Sequence, residues 1–440
     1  MLELPLAPGG EPLHRLAQAS LQTSLADTPV VLVQGPRQCG KTTLARTVAE
    51  PLGYGYATFD DDNLARAARL DPLGFVTDLP PRMVLDEVQR VPEIFTALKL
   101  AVDRDRQPGR FLLTGSADVL LLPKLADSLA GRLEVIRLHP LAQVELRSTQ
   151  AGFLTQLFSA GFKPASFERM GAGLAEIIVA GGFPSALMRP PARRRAWYQA
   201  YVQTLVQRDV RDLARIAALD VMPRLLELAA GQTSHLFNVS ELAGPFGLSL
   251  PTVRDYLTLL ERVFLVDILP PWHLRPFKRL VKTPKLHLGD TGLAAALLRV
   301  DAARLHANRP LLGQLLETFV FQELRRQAGS QKEPIAFSHF RNRDDHEVDI
   351  VLEQGAALAG VEVKASGTVR SEDFRGLRKL QEIAADRFAC GVVLYDGEAS
   401  LRFGPGLFAV PVRALWEGQA QRADRGFGWP GRKLAIDSAN

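Results

Sequence analysis

The chain has 440 residues, 47% of them hydrophobic and 23% charged, with 53 Lys and Arg against 48 Asp and Glu and a net charge of +5. Such a length exceeds what one hydrophobic core supports, so two or three domains are expected, and the composition excludes collagen, a coiled coil and wholesale disorder. A charge this small suits an anionic partner such as nucleic acid without demanding one. The two cysteines, Cys39 and Cys390, stand apart from any Cys or His at ligand spacing, which argues against a disulfide scaffold and a zinc site. The N-terminus lacks a basic stretch before an apolar run, and no stretch of about 18 uncharged apolar residues occurs. A cytoplasmic chain without signal peptide or membrane contact is expected.

In chain order, short apolar runs at 30–33, 56–59, 83–85 and 111–113 alternate with helical stretches such as 42–49 and 93–103. Buried strands separated by helices are the pattern of a parallel sheet covered on both faces. Residues 1–146 are read as this first domain. Residues 147–300 open with a mixture of Gly, Ser and Pro, continue mainly helical and end in short strands. Residues 301–416 read as helix 311–328, strands 335–340, 347–353 and 360–364, helix 372–387 and strand 390–395. Residues 417–440 are polar and Gly-rich, the composition of a loosely attached tail.

The first domain carries two motifs. Gly35, Pro36, Arg37, Gln38, Cys39, Gly40, Lys41 and Thr42 fit G-x-x-x-x-G-K-[ST], between the strand VVLV and a helix that continues with Thr43. Glycines let backbone N–H groups wrap phosphate oxygens, and the helix N-terminus adds partial positive charge. Lys41 is expected to reach the β- and γ-phosphates of ATP, and the Thr42 hydroxyl to bind Mg²⁺. The thiol of Cys39, inside this loop, is expected to react with alkylators unless nucleotide shields it, the alternative being a small filler buried under the loop and inaccessible. The second motif, Met83 to Glu87, delivers Asp86 to the end of a buried strand, where it would hold Mg²⁺. Glu87 would polarise the attacking water as general base. The strand 111–113 ends in two hydroxyls, Thr114 and Ser116, and Thr114 is placed with the nucleotide.

Residues 240–261 read as helix, turn, helix, with Ser240 and Ser249 at N-cap positions and Val253, Leu257, Leu260 and Val263 on one face. Such a unit could place Thr252, Arg254 and Thr258 against DNA, or serve only for packing. The basic residues Arg193–Arg195 and Lys278, Arg279, Lys282 and Lys285 could meet phosphates or mark a solvated face. In the last segment Asp349 lies on one strand, and Glu362 and Lys364 alternate on the next. The hairpin gathers two carboxylates and a lysine, with Glu317 on the preceding helix completing the acidic cluster. Asp349, Glu362 and Glu317 could hold Mg²⁺ while Lys364 positions hydroxide, or the same charges could form cross-strand ion pairs without chemistry.

The set GPRQCGKTTL, MVLDEVQ, FLLTGSA and LAGRLEVIRLHPL resembles the AAA-type ATPase domain of a widespread bacterial and archaeal family. Its members carry a second C-terminal domain of uncertain function. GGFP at 181–184, PKLHLGDTGL at 284–293 and the final segment extend the resemblance over most of the chain. It implies a homo-oligomer in which an arginine, here Arg132 of LAGR, meets the neighbour's γ-phosphate. The order of the last segment, with D-x12-E-x-K at Asp349, Glu362 and Lys364, resembles the PD-(D/E)xK nuclease superfamily. The implied fold class is α/β: an AAA-type P-loop sheet, a helical and winged-helix segment, and a restriction-endonuclease-like domain. The implied function is an ATPase acting on or regulated by DNA. An ATP-controlled switch with an inert nuclease fold, and a signalling ATPase without a nucleic-acid role, are the alternatives.

Overall fold

In the computed structural model the described residues are 13–116, 129–150, 152–159, 161–207, 221–272 and 283–418. All but the first two residues of the expected tail 417–440 lie outside them, as do Lys278, Arg279 and Lys282. Strands β1 (Val30–Gln34), β2 (Gly55–Thr58), β3 (Met83–Asp86), β4 (Phe111–Gly115) and β5 (Leu133–Arg137) form a parallel sheet ordered β2-β3-β4-β1-β5. The period of two sorts the apolar residues of β1 onto opposite faces. Val30 and Leu32 join Leu85, Leu113, Ile94 and Leu98 in one core, while Val31 and Val33 join Leu112, Leu44, Val48 and Leu21 in the other. β1, β3 and β4 are therefore buried along their whole length, as a sheet covered twice requires.

A second sheet is ordered β6-β13-β14-β12-β11-β10-β9. Its strands are β6 (Ala165–Ser166), β9 (Ile335–Arg341), β10 (Glu347–Gln354), β11 (Ala357–Lys364), β12 (Phe388–Tyr395), β13 (Ala399–Gly404) and β14 (Leu407–Pro411). β9, β10 and β11 pair antiparallel, whereas β11, β12 and β14 run parallel. The helix Arg375–Ala384 covers β10–β12, where Gly376 packs so closely that a Cβ would lie 1.8 Å from the Glu347 carbonyl oxygen. The single helix read over 372–387 is shorter than expected. It is flanked by 3-10 turns, and Ala385 stands at φ 47, a conformation that ends the helix.

A ribbon of β7 (Val266–Leu269) and antiparallel β8 (Lys285–Leu288) lies between these units. The helix Arg309–Ala328 is buried almost all round, through Leu315, Phe319, Val320, Leu324 and others. One hydrophobic cluster joins helical residues such as Leu225, Val253 and Leu260 to sheet residues such as Ile350, Val361 and Val392. Packing is thus continuous across residue 300, where a domain limit was expected, and β6 crosses it by pairing with β13.

Candidate nucleotide site and candidate charged cavity

The loop after β1 is shaped by backbone demands that side chains would violate. A Cβ on Gly35 would lie 2.0 Å from the Leu138 carbonyl oxygen, and Gly40 stands at φ 101. The helix Lys41–Ala49 starts immediately, so the amides of its first turn lack helical partners and face the loop's concavity. Lys41 is 4% exposed and its Nζ donates to the Pro36 carbonyl at 3.0 Å, an acceptor that phosphate oxygens can replace. The Arg37 carbonyl accepts from Tyr201 Oη at 3.3 Å, which ties the loop to the helix Pro191–Leu205. Gln38 takes φ 60 at the loop's tip, and Thr43 follows in the helix.

At the sheet's C-terminal edge Thr42 Oγ1 donates to Asp86 Oδ1 and Oδ2 at 3.0 and 3.1 Å. The Thr114 hydroxyl donates to Oδ1, and Tyr56 Oη to Oδ2 at 2.9 Å. Burial, with Asp86 adding, pushes the Tyr56 phenol up, so it stays a donor. A hydroxyl facing a carboxylate is a hard, oxygen-only donor pair that fits Mg²⁺. Glu87 takes φ 59 and ψ 44, a left-handed conformation costing about 1–3 kcal/mol that clusters at functional positions. The Glu87 amide donates to Thr114 Oγ1 at 3.1 Å, while its carboxylate accepts from Ser116 Oγ at 3.1 Å and from Gln89 Nε2. Thr114 therefore fixes both acids at once. Tyr56 and Gln89 were not singled out from sequence; their only signal is adjacency to the motif or to its sheet edge.

One expectation changes here. Cys39 is fully buried against the Leu138 carbonyl, and burial, outweighing Lys41 and Arg15, pushes its thiol up. Its contribution is packing and a backbone carbonyl, not a reactive thiol. Arg132 precedes β5 at the edge of the sheet opposite the loop, where its carbonyl accepts from Val30 N. Its Nε pairs with Asp103 Oδ1 at 2.6 Å.

In the second sheet, Asp349 and Glu362 each lie one step beyond the register pair Ile350–Val361. Asp349 Oδ2 accepts from Val363 N at 2.9 Å, and Lys364 Nζ pairs with Glu362 Oε1 at 2.8 Å. Glu317 joins them as expected from the helix. The centre of the cluster is held by a residue of the basic run, expected either to meet phosphates or to mark a solvated face. Lys285, 2% exposed, pairs through Nζ with Glu317 at 2.9 Å, Glu347 at 2.8 Å and Asp349 at 3.0 Å. Burial lowers its pKa, but the three carboxylates outweigh that and hold it well above the usual lysine range. Burial first and Asp349 second push Glu362 up to about 8, against Lys364. A cavity of about 570 Å³ opens onto this cluster. Among the described residues no group of three His, Cys, Asp or Glu side chains is set to hold a metal ion. Of the residues expected to hold Mg²⁺, Glu317 and Asp349 pair with the Lys285 ammonium and Glu362 with Lys364.

The helix-turn-helix is present as Val239–Ala243 and Leu250–Arg262, with Ser249 capping the second helix and Asn238, not Ser240, the first. Val253, Leu257, Leu260 and Val263 are buried and Arg254 and Thr258 exposed, yet Asp255 and Glu261 share that exposure. Thr252 Oγ1 bonds Ser249 Oγ at 2.8 Å and Thr258 Oγ1 donates to the Arg254 carbonyl, so both hydroxyls have local partners.

GGFP and HLGDTGL meet in a buried ionic hub that sequence reasoning did not resolve. Asp290 accepts from Gly182 N at 2.8 Å and Tyr198 Oη at 3.0 Å, and pairs with Arg326 at 3.2 Å. Arg326 also binds Glu323, which accepts from Gln143 N at 2.9 Å. Beside Gln143, Glu145 pairs with Arg15, whose Nη1 donates to the Cys39 carbonyl of the phosphate loop at 2.8 Å. Pairs such as Gly182 with Asp290, 108 residues apart, and Gln143 with Glu323, 180 apart, converge here, which no spacing announces.

A family model described as an AAA domain matches residues 27–147, and two domains of unknown function, DUF8612 and DUF4143, match 171–304 and 312–415. With the parallel sheet and loop geometry, this defines the N-terminal unit as an AAA-type P-loop ATPase domain. The uncharacterized proteins Rv2008c of Mycobacterium tuberculosis and Mb2031c of Mycobacterium bovis are each 32% identical over 401 residues, covering 91% of this chain and 83% of theirs. The chain belongs to the family of these mycobacterial proteins. Among solved structures, the Walker-type ATPase PABY2304 of Pyrococcus abyssi is 15% identical, covering 67% of this chain and 98% of its own, at TM-score 0.44. The RuvB Holliday junction branch migration motor of Thermotoga maritima is 18% identical, covering 57% and 88%, at TM-score 0.29. Likenesses that shallow carry no functional weight. No helix among the described residues is long and apolar enough to cross a membrane.

Proposed function

We propose that the chain binds and hydrolyses ATP with Mg²⁺, and that this cycle acts on, or is regulated by, DNA through its C-terminal units. The observation that carries the hydrolysis is the acid pair. Asp86 faces Thr42, and the two oxygens would hold the cation, while Glu87 sits beside them in a strained backbone with its carboxylate held by Ser116 and Gln89. Lys41 would neutralise the β- and γ-phosphates, Thr114 would keep both acids in register, and Glu87 would take the proton of the attacking water. Bound Mg²⁺ would supply charge neutralisation on the phosphates. Arg132 would act across a subunit interface of a homo-oligomer.

The DNA role rests on the helix-turn-helix beside the β7–β8 ribbon and on the nuclease-like order of helix, three strands, helix and strand around Asp349, Glu362 and Lys364. A second reading, an ATP-controlled switch with an inert nuclease fold, is favoured by Lys285 in the middle of the acidic cluster. The test is ATP turnover with and without duplex, single-stranded and branched DNA, alongside Mg²⁺-dependent cleavage of the same DNAs. Stimulation with cleavage that needs Asp349 and Lys364 supports the first reading, and stimulation without cleavage the second. Turnover indifferent to every DNA leaves a regulatory ATPase without a nucleic-acid role.

A further inference from the structure

We infer that Arg15 and Tyr201 are positioning residues of the nucleotide loop, each holding one loop carbonyl from outside and so aiming the next residue's N–H at the phosphates. The inference rests on the proposed ATP binding and adds that residues outside the two motifs shape the site. Arg15 stands just ahead of the helix Ala17–Asp27, and Tyr201 belongs to the helix Pro191–Leu205 of the middle segment. The first support is peptide geometry. In a trans peptide the C=O of one residue and the N–H of the next point to opposite sides, and the loop has no cis bond. Arg15 Nη1 donates to the Cys39 carbonyl at 2.8 Å, and Tyr201 Oη to the Arg37 carbonyl at 3.3 Å. The amides of Gly40 and Gln38 are thereby turned away from both anchors, toward the loop's concavity. Lys41 Nζ meets a different carbonyl, that of Pro36, so it can leave for a phosphate without loosening either anchored one.

The second support is rigidity. Arg15, 2% exposed, also donates through Nε to Glu145 at 3.0 Å and through Nη2 to the His139 carbonyl at 2.7 Å. Glu145 is fixed in turn by the Leu16 and Ala142 amides at 2.7 and 2.8 Å. Tyr201, 6% exposed, stacks on Trp197 with ring centres 5.1 Å apart and packs on Phe183 at 5.0 Å. Donors locked in this way hold a site more precisely than solvated ones. The two anchored carbonyls flank Gln38, whose φ of 60 a non-glycine residue keeps only where its surroundings impose it. A packed tyrosine in need of a partner would account for one bond. It would not account for two buried donors, from separate elements, on either side of a strained loop residue. Because Tyr198 of the same helix bonds Asp290, the middle segment and the ionic hub both bear on nucleotide affinity.

The experiment uses the full chain and compares ATP and ADP affinity by calorimetry, steady-state turnover, and melting without nucleotide. Tyr201→Phe keeps the ring and its stack on Trp197 and removes only the hydroxyl. It should weaken both nucleotides about threefold, with an unchanged nucleotide-free melting temperature. Arg15→Lys keeps a counter-charge for Glu145 but loses the fork, and should weaken both about tenfold. In each variant KM should rise by the same factor as the dissociation constant with kcat within about twofold, the pattern of lost ground-state binding. Tyr198→Phe removes a hydroxyl from the same helix that does not touch the loop, and should bind ATP as the parent does. If Arg15→Lys does not fold, Tyr201→Phe decides alone. Parent affinity in Tyr201→Phe would overturn the inference, as would an equal loss in Tyr198→Phe, which would trace the effect to the helix and not to the loop carbonyl. A parent chain that binds no ATP would instead overturn the proposed function, and this inference with it.

Discussion

Asp267 offers a measure of how firmly the ATPase sheet is fastened to the rest of the chain. It sits on β7, 5% exposed, and its carboxylate contacts Arg325 at 2.5 Å, Arg137 at 2.9 Å and Gln322 Nε2 at 2.9 Å. Arg137 ends β5 of the first sheet, and Arg325 lies on the helix Arg309–Ala328, so one carboxylate joins three elements. Asp267→Asn keeps the shape and leaves two guanidiniums without a counter-charge. Breaking a buried pair costs about 3–5 kcal/mol. Arg137 is one-third exposed and can rehydrate, which sets the expectation at about 3 kcal/mol. Urea unfolding at pH 7, followed by fluorescence and by proteolysis, should move to lower urea with unchanged slope. Acid should reproduce the effect in the parent chain. Burial raises the Asp267 pKa, but Arg325 and Arg137 outweigh it and hold the carboxyl well below its ordinary 3.8. The stabilisation is therefore complete above about pH 4 and is lost as the pH falls from there toward the folded value. An Asn variant within about 0.5 kcal/mol of the parent would refute the fastening role.

Thr114→Val should leave ATP binding intact and lower turnover about 10–100-fold, because Asp86 and Glu87 lose their shared hydroxyl; turnover and equilibrium binding of a nucleotide analogue read this directly. The thiol of Cys39 should resist alkylation in the native chain and react after denaturation, as mass spectrometry of timed samples would record; rapid native labelling would contradict its burial. Arg132→Ala should bind ATP normally and hydrolyse it poorly, and mixing it with Glu87→Gln subunits should restore activity. Absence of rescue in subunits shown to mix would exclude a finger supplied in trans. Lys41→Ala should lose nucleotide binding altogether, read by the same equilibrium measurement.

What the sequence disclosed follows the range of the forces involved. The strands at 30–33 and 111–113 were legible because a sheet buried on both faces must be apolar at consecutive positions. Asp349, Glu362 and Lys364 were legible as a group because a hairpin and a period of two fix their neighbourhood. Lys285 was not, since its partner Asp349 lies 64 residues away and its neighbours Lys278, Arg279 and Lys282 grouped it with a basic run. The glycines of GGFP marked a special position without naming its cause, which is the close approach of Asp290, Tyr198 and Arg326. Continuous packing across residue 300 was equally invisible, because helices and strands on both sides contribute similar apolar residues to one cluster.

The claim on which the account turns is that Glu87 activates water beside a cation held by Thr42 and Asp86. Glu87→Gln preserves the size and the partners Ser116 and Gln89 while removing the proton acceptor. Nucleotide affinity and steady-state ATP turnover should be measured on the same preparation of this variant and the parent. The account predicts unchanged ATP binding with turnover reduced about 10²–10⁴-fold. ATP hydrolysis by Glu87→Gln at the parent rate would contradict it.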